Sequence, residues 1–205
     1  MLMRRVERTL GFTLIEMVVA MAIFAILIAL AVPTMREWIR NAQVRSVADA
    51  LQNGVRLAQA ESLRRSRQVV FALTNSTTPQ TGTFSAASNG TYWAIMVVPL
   101  MTDGSDNTPF VQAGVLTSTS VQVSGPAAIC FNSVGRLVTN ASTGVTNGSC
   151  VVPTNGTPVK STYSISQTGT ALSGDHPLNV QVALGGQVHL CDQSQTLSAT
   201  NPYGC

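Results

Sequence analysis

Residues 11–32 read GFTLIEMVVAMAIFAILIALAV, and this stretch decides how the rest of the chain is organised. After Glu16 it carries no charged or strongly polar side chain. As a helix, the 21 residues from Phe12 to Val32 would be about 31 Å long. The hydrocarbon core of a bilayer is about 30 Å thick. The sequence therefore predicts one membrane-spanning helix at residues 12–33.

The residues on either side of this helix predict its orientation. Arg4, Arg5 and Arg8 precede it, and basic residues tend to stay on the cytoplasmic side. Arg36 and Arg40 follow it and weaken the asymmetry. We expect a single-pass topology, with the N-terminus in the cytoplasm and the rest of the chain on the other side of the membrane.

Three interpretations of the apolar segment remain open. It is a secretory signal peptide cut after Ala31, because Ala29 and Ala31 provide a small-x-small site. It is an uncleaved signal anchor. Or the chain is cut before the apolar run, which is then kept. Glu16 favours the last interpretation, because a carboxylate in a spanning helix costs up to about 2.5–3.5 kcal/mol and needs a functional reason.

The hexapeptide from Gly11 to Glu16 resembles the cleavage signature of type IV pilins and type II secretion pseudopilins. The resemblance implies that a prepilin peptidase cuts between Gly11 and Phe12, which makes residues 1–11 a leader. It implies N-methylation of Phe12 and pairing of Glu16 with the terminal amine of a neighbouring subunit. The expected partners are the peptidase, other pilins or pseudopilins, and the inner membrane.

Pro33 follows the apolar run, where it either bends the helix or ends it. From residue 34 to residue 67 the pattern stays helical and becomes amphipathic. Apolar and small residues recur at three- and four-residue steps on one predicted face: Val44, Val47, Ala48, Leu51, Val55, Ala58 and Ser62. We predict that this amphipathic stalk lays that face on a globular head.

The head, residues 68–205, changes to the two-residue period of strands. Short apolar or alternating runs are separated by Gly, Pro, Asn, Ser and Thr: residues 69–73, 92–98, 114–116, 121–123, 127–131, 163–166, 178–184 and 187–191. Residues 74–91 and 139–162 read as surface loops. One long helix followed by many strands predicts an α+β fold in which an antiparallel sheet packs on the stalk.

Composition supports export rather than a cytosolic enzyme. Only 10% of the residues are charged, against roughly 25% in typical domains. The net charge of +3 is also uneven, since residues 1–67 carry +5 and the remainder −2. A basic globular domain is therefore not indicated.

The four cysteines all lie in the C-terminal half of the chain. Their spacing from each other and from the two histidines does not fit a zinc site. Three disulfide connectivities exist. We favour Cys130–Cys150 and Cys191–Cys205, because each closes a segment rich in Gly, Ser, Thr and Asn, and each would stabilise the fold by about 3 kcal/mol.

A narrower resemblance covers most of the chain outside the long loops. Residues 49–71 are similar to the helix end and first strand of the GspH/FimT family, and Cys130–Arg136 resembles its strand ending in an Asn-x-x-Gly-Arg turn. The tail from Gly185, closed by Cys205, resembles FimT-type minor pilins. The implied function is that of a minor pilin in type IV pilus biogenesis, with a type II secretion pseudopilin as the alternative.

DNA binding is a second alternative. DNA-binding relatives carry Gly-Arg-x-Arg in the tail, whereas this chain has Gly186-Gln187-Val188-His189. Without those arginines, the remaining candidates for phosphate contacts are Arg64, Arg65 and Arg67. Such a cluster is more often a solvated helix end, so we do not favour DNA as a partner.

We expect no enzyme activity, cofactor, metal or small-molecule substrate. Neither His176 nor His189 stands beside a nucleophile motif. Asp103–Asn107 lacks the spacing of a calcium loop and reads as a turn. Of the two tryptophans, Trp38 is placed to anchor the helix at the membrane interface, and Trp93 is expected in the core.

Overall fold

The structure is a computed structural model that describes residues 11–81, 83–100, 110–116, 120–154 and 159–205, except the side chain of Pro33. The leader up to residue 10 and the turn Asp103–Asn107 lie outside the described residues. The chain divides into two compact units, residues 1–39 and residues 40–205.

A single helix, α1 (Leu14–Arg65), dominates the first third of the chain. Thr13 caps its start, because its Oγ1 accepts a hydrogen bond from the N–H of Glu16 at 3.3 Å. Ser66 ends it in the left-handed region (φ 51°), and the N–H of Arg67 bonds back to the carbonyl of Ser62. α1 runs through position 33, so the helix does not end at Pro33; the bend there stays a prediction.

In the described part of the chain, nine strands follow the helix: β1 (Val69–Thr74), β2 (Tyr92–Val97), β3 (Phe110–Val115), β4 (Val121–Ser124), β5 (Ala128–Phe131), β6 (Leu137–Val138), β7 (Lys160–Gln167), β8 (Leu178–Ala183) and β9 (Val188–Asp192). All strand pairings are antiparallel. The α+β class is confirmed. The single sheet that we expected is instead two sheets, ordered β3-β2-β1-β5-β6 and β4-β7-β8-β9.

The main core lies where the helix meets both sheets. Every residue of the predicted apolar face of the stalk is buried, from Val44 to Ser62. Phe71 from the first sheet meets the fully buried Tyr163 from the second, edge to face, with ring centroids 6.3 Å apart. Both sheets thus turn one apolar face to the same helix. Which strands belong to which sheet depends on pairing between distant segments, and the periodicity of the sequence does not reveal that pairing.

The two long loops are not purely superficial, which corrects the prediction for residues 74–91 and 139–162. Phe84, Ala86, Val145 and Cys150 are buried against the face of the first sheet that points away from α1. The physical reason lies in β1, whose six residues are all buried, so both faces of the sheet need a cover. β7 also begins at Lys160, inside the second predicted loop.

Two disulfides close the head. Cys130 is bonded to Cys150 and Cys191 to Cys205, the pairing that the sequence favoured. The first ties β5 to the loop that covers the outer face of the first sheet. The second joins β9 to the last residue of the chain.

Trp93 occupies a slot between two glycines, and the core position expected for it is confirmed. A Cβ at Gly54 on α1 would lie 3.0 Å from Phe71 and 3.1 Å from the Trp93 indole. A Cβ at Gly114 on β3 would lie 2.5 Å from the same indole. Gly54 therefore lets the helix approach the aromatic layer, and Gly114 closes the slot from the neighbouring strand.

We expect Gly114→Ala to destabilise the protein by about 1–3 kcal/mol, because the buried indole cannot move away from the added methyl group. Gly54→Ala is the matched comparison. Its milder crowding is offset by the gain in helix propensity of roughly 0.5–1 kcal/mol, so its effect is small. Urea unfolding of the full chain in detergent, followed by tryptophan fluorescence, measures both; equal midpoints for Gly114→Ala and wild type would contradict the slot.

Candidate functional site

The candidate processing site lies immediately before α1. Residues 11–13 are not helical, and Phe12 is 80% exposed. Among the described residues, no atom beyond its chain neighbours lies within 4 Å of a Cβ placed on Gly11. The peptide bond between Gly11 and Phe12 therefore lies in a non-helical segment that the described residues leave open, as an endopeptidase requires.

Glu16 lies in the first turn of α1, with an exposed side chain. With Thr13 it forms the Thr-x-x-Glu pattern of a helix start, in which the threonine hydroxyl takes up the free N–H of the third helical residue. A carboxylate near the N-terminus of a helix also interacts favourably with the positive end of the helix dipole. The sequence analysis recognised Glu16 and missed Thr13, although the capping pattern was readable.

The helix that follows is apolar and uncovered. From Leu14 to Val32 its large hydrophobic side chains are exposed, and it is the one helix in the described part of the chain that is long and apolar enough to cross a membrane. Its apolar residues need an environment other than water, either lipid or the apolar helices of other subunits. Trp38 is 70% exposed, and its role as an interface anchor stays a prediction.

The basic cluster at the other end of α1 is largely occupied by contacts within the chain. Arg64 and Arg65 both pair with Glu61, at 2.6 and 2.8 Å. Arg67 donates to the carbonyl of Val98 at 3.0 Å. Hydrogen bonds from Arg64 and then Arg65 lower the pKa of the Glu61 carboxyl from 4.5 to about 2. The cluster is thus partly neutralised, which weakens the case for phosphate contacts.

A junction of two turns surrounds Gln59, a residue that the sequence analysis missed. Its Nε2 donates to the carbonyl of Gly135 at 3.0 Å. Gly186 in the turn between β8 and β9 has φ +87°, and a Cβ there would lie 2.1 Å from the same carbonyl oxygen. The N–H of Leu137 bonds to the carbonyl of Leu184. The turn that contains Gly186 therefore joins the two sheets beside the helix, and Gly186 allows its close approach to the Gly135 carbonyl.

The turn after β5 has the geometry that the Asn-x-x-Gly-Arg resemblance implied. Asn132 Oδ1 accepts bonds from the N–H groups of Val134 and Arg136, and Gly135 has φ +74°. In the tail, Gln187 and His189 are exposed. Among the described residues, no group of three or more His, Cys, Asp or Glu side chains could hold a metal ion.

Comparison with known families gives two matches, one to the N-terminal segment and one to the end of the helix and most of the head. The prokaryotic N-terminal methylation motif matches residues 8–32. The family model for the type II transport protein GspH matches residues 47–169, which is more than half of the chain. The chain belongs to the GspH family.

Solved structures with a similar fold include a type IV minor pilin and a minor pseudopilin. FimU of Pseudomonas aeruginosa is 16% identical with a TM-score of 0.46, and the match covers 75% of this chain and 92% of FimU. EpsH of the Vibrio cholerae type 2 secretion system is 10% identical with a TM-score of 0.46, and the match covers 75% of this chain and 99% of EpsH. Among curated proteins, none matches the sequence.

The family resemblance stated from the sequence is therefore confirmed. Pilins and pseudopilins of the GspH family are structural subunits rather than enzymes. The methylation motif implies processing by prepilin peptidase and assembly with other pilins or pseudopilins, with the apolar helix as a membrane anchor.

Replacing Glu61 by glutamine should lower the stability of this GspH-family chain by about 0.3–1 kcal/mol at pH 7, since the ion pairs are partly exposed. The carboxyl pKa is lowered in the folded state, so its stabilisation is present above about pH 4.5 and is lost as the pH falls toward 2. Urea midpoints of both proteins between pH 7 and pH 3 should converge at low pH. Glu37→Gln is the control; a gap that stays constant with pH would contradict the assignment.

Proposed function

We propose that the chain is a minor pilin of a type IV pilus, anchored in the bacterial inner membrane by residues 12–33 and then drawn into the filament. The observation that carries this proposal is the uncovered apolar helix that begins at a capped turn holding Glu16, directly after an accessible Gly11-Phe12 bond. A conventional secreted domain would lose both features. The basic residues before the helix support a cytoplasmic N-terminus and a periplasmic head.

Assembly needs a partner for Glu16, because its carboxylate begins an apolar helix. A cut after Gly11 creates a positively charged amine on Phe12, two residues before the helix. The positive end of the helix dipole disfavours that amine within its own chain. In a low-dielectric environment, the Glu16 carboxylate of one subunit and the Phe12 amine of its neighbour would offset each other's charge. Glu16 would thereby fix the axial register between subunits.

The tail favours the pilus over the secretion machine. Cys205 is bonded to Cys191, and the sequence resemblance implies that such cysteine-closed tails are common in FimT-type minor pilins. The second candidate is a pseudopilin of the type II secretion system. It is supported by the description of the matching family, a type II transport protein.

The mature N-terminus tests the processing step. Mass spectrometry of the protein from membranes should show a chain that begins with methylated Phe12. We expect Gly11→Val to retain the leader, because a branched side chain hinders the extended backbone at the cut, whereas Ala31→Leu should change nothing. A mature chain that begins at Val32 would refute the proposal.

Glu16→Gln in a strain that lacks the wild-type gene tests assembly. The variant should be cut normally yet fail to restore piliation and twitching, with the recovery of sheared filaments reduced about tenfold or more, as expected when a buried charge pair is broken. Glu37→Gln, on the same helix beyond the apolar run, should behave as wild type. A defect confined to exoprotein secretion would instead favour the pseudopilin.

A further inference from the structure

The loop between β7 and β8, residues 168–177, crosses the first turn of α1 that belongs to the head. We call this loop the strap. Most of it is exposed, and Leu172 is 56% exposed. The Asp175 side chain is the exception, with only 9% of its surface accessible. A charged residue this buried in an exposed loop needs compensating contacts.

Arg40 provides the main contact with Asp175. Arg40 Nη2 lies 2.6 Å from Asp175 Oδ2, and the same oxygen accepts a bond from the N–H of Leu172 at 2.8 Å. The carbonyl of Arg40 in turn accepts a hydrogen bond from Gln167 Nε2, at the end of β7. Both the side chain and the backbone of Arg40 are therefore tied to this part of the head.

Asn41 makes a second, bidentate contact with the strap. Its Nδ2 donates to the carbonyl of Gly174 at 2.7 Å, and its Oδ1 accepts from the N–H of His176 at 3.0 Å. The amide thus uses its donor and its acceptor on two backbone groups flanking Asp175. An alanine in its place would leave both strap groups without these partners.

Two polar atoms of the ion pair are buried without a partner among the described residues, Arg40 Nε and Asp175 Oδ1. The ion pair is therefore held by one bond, between Nη2 and Oδ2, rather than by the two-bond geometry that Arg–carboxylate pairs commonly adopt. The backbone contacts of Arg40 and Asn41 supply the rest of the attachment.

Polar contacts are what hold this turn of the helix. Residues 40–43 place no large apolar side chain in the core, and the buried face begins at Val44. Gln43 accepts one further bond, from Ser120 Oγ at 2.7 Å. Unlike the rest of the docked stalk, this turn is therefore fastened by a few specific hydrogen bonds rather than by apolar burial.

We propose that the strap is a clamp that keeps the first docked turn of α1 on the head when the helix is pulled from the membrane. It fixes the helix from Arg40 onward and prevents unwinding from reaching Val44 and Val47. The pulling rests on the proposed function, in which the helix leaves the membrane, whereas the clamp itself consists only of contacts within residues 40–205.

Hydrogen exchange of the full-length mature protein in detergent micelles tests the clamp. We expect Asn41→Ala and Asp175→Asn each to speed exchange of the amides of residues 44–48 by about tenfold or more, through local opening. Exchange in β1 should stay within about twofold of wild type. Alanine is a better helix former than asparagine, so loosening by Asn41→Ala cannot arise from helix propensity.

Asn53→Ala is the matched control, since it makes the same change on the exposed face of the helix. Asn53→Ala should leave amide exchange unchanged both at residues 44–48 and in β1. Tryptic cleavage after Arg45 provides a second measurement and should accelerate in the two strap variants. Unchanged exchange at residues 44–48 in both variants, or an equal loss of protection in β1, would overturn the proposal.

Discussion

One continuous helix must satisfy two different surroundings, and the rest of the structure follows from that constraint. Before Pro33 the large apolar side chains lie on all sides of the helix and are exposed among the described residues. From Val44 onward most of the apolar side chains lie on one face, which the head buries, although Leu63 is half exposed. The first half can be satisfied only by lipid or by other helices. The apolar half of the helix therefore needs either a membrane or other helices around it.

The head is built to serve that helix. Two sheets share one core against the stalk, and Gly54 lets the helix approach close to Phe71 and Trp93. The first sheet then needs a second cover, which two Ser- and Thr-rich loops and the Cys130–Cys150 disulfide provide. Only 10% of the residues are charged, and among the described residues the arginine–carboxylate ion pairs lie along α1, at Arg40 and Glu61.

The sequence predicted local features well and long-range pairing poorly, for physical reasons. The apolar face of the stalk follows from a 3.6-residue period, and the strands near residues 69, 92 and 178 follow from apolar runs between turn residues. The sequence predicts a strand at residues 114–116, whereas β3 begins at Phe110, because its length follows from pairing with β2. The partners of Arg40 and Gln59 lie 135 and 76 positions away. The division into two sheets depends on strands that pair without being neighbours in the chain, such as β1 with β5 and β4 with β7. No local pattern encodes such contacts.

The contacts around Gln59 also give a structural reason for the glycine at position 186. Gly186 occupies the glycine position of the Gly-Arg-x-Arg pattern of DNA-binding relatives, which could suggest the remnant of a DNA site. Its positive φ and its approach to the Gly135 carbonyl require glycine for packing alone. The glycine is therefore expected whether or not arginines follow it. Its presence says nothing about DNA, and the exposed Gln187 and His189 stand at the positions of the two arginines.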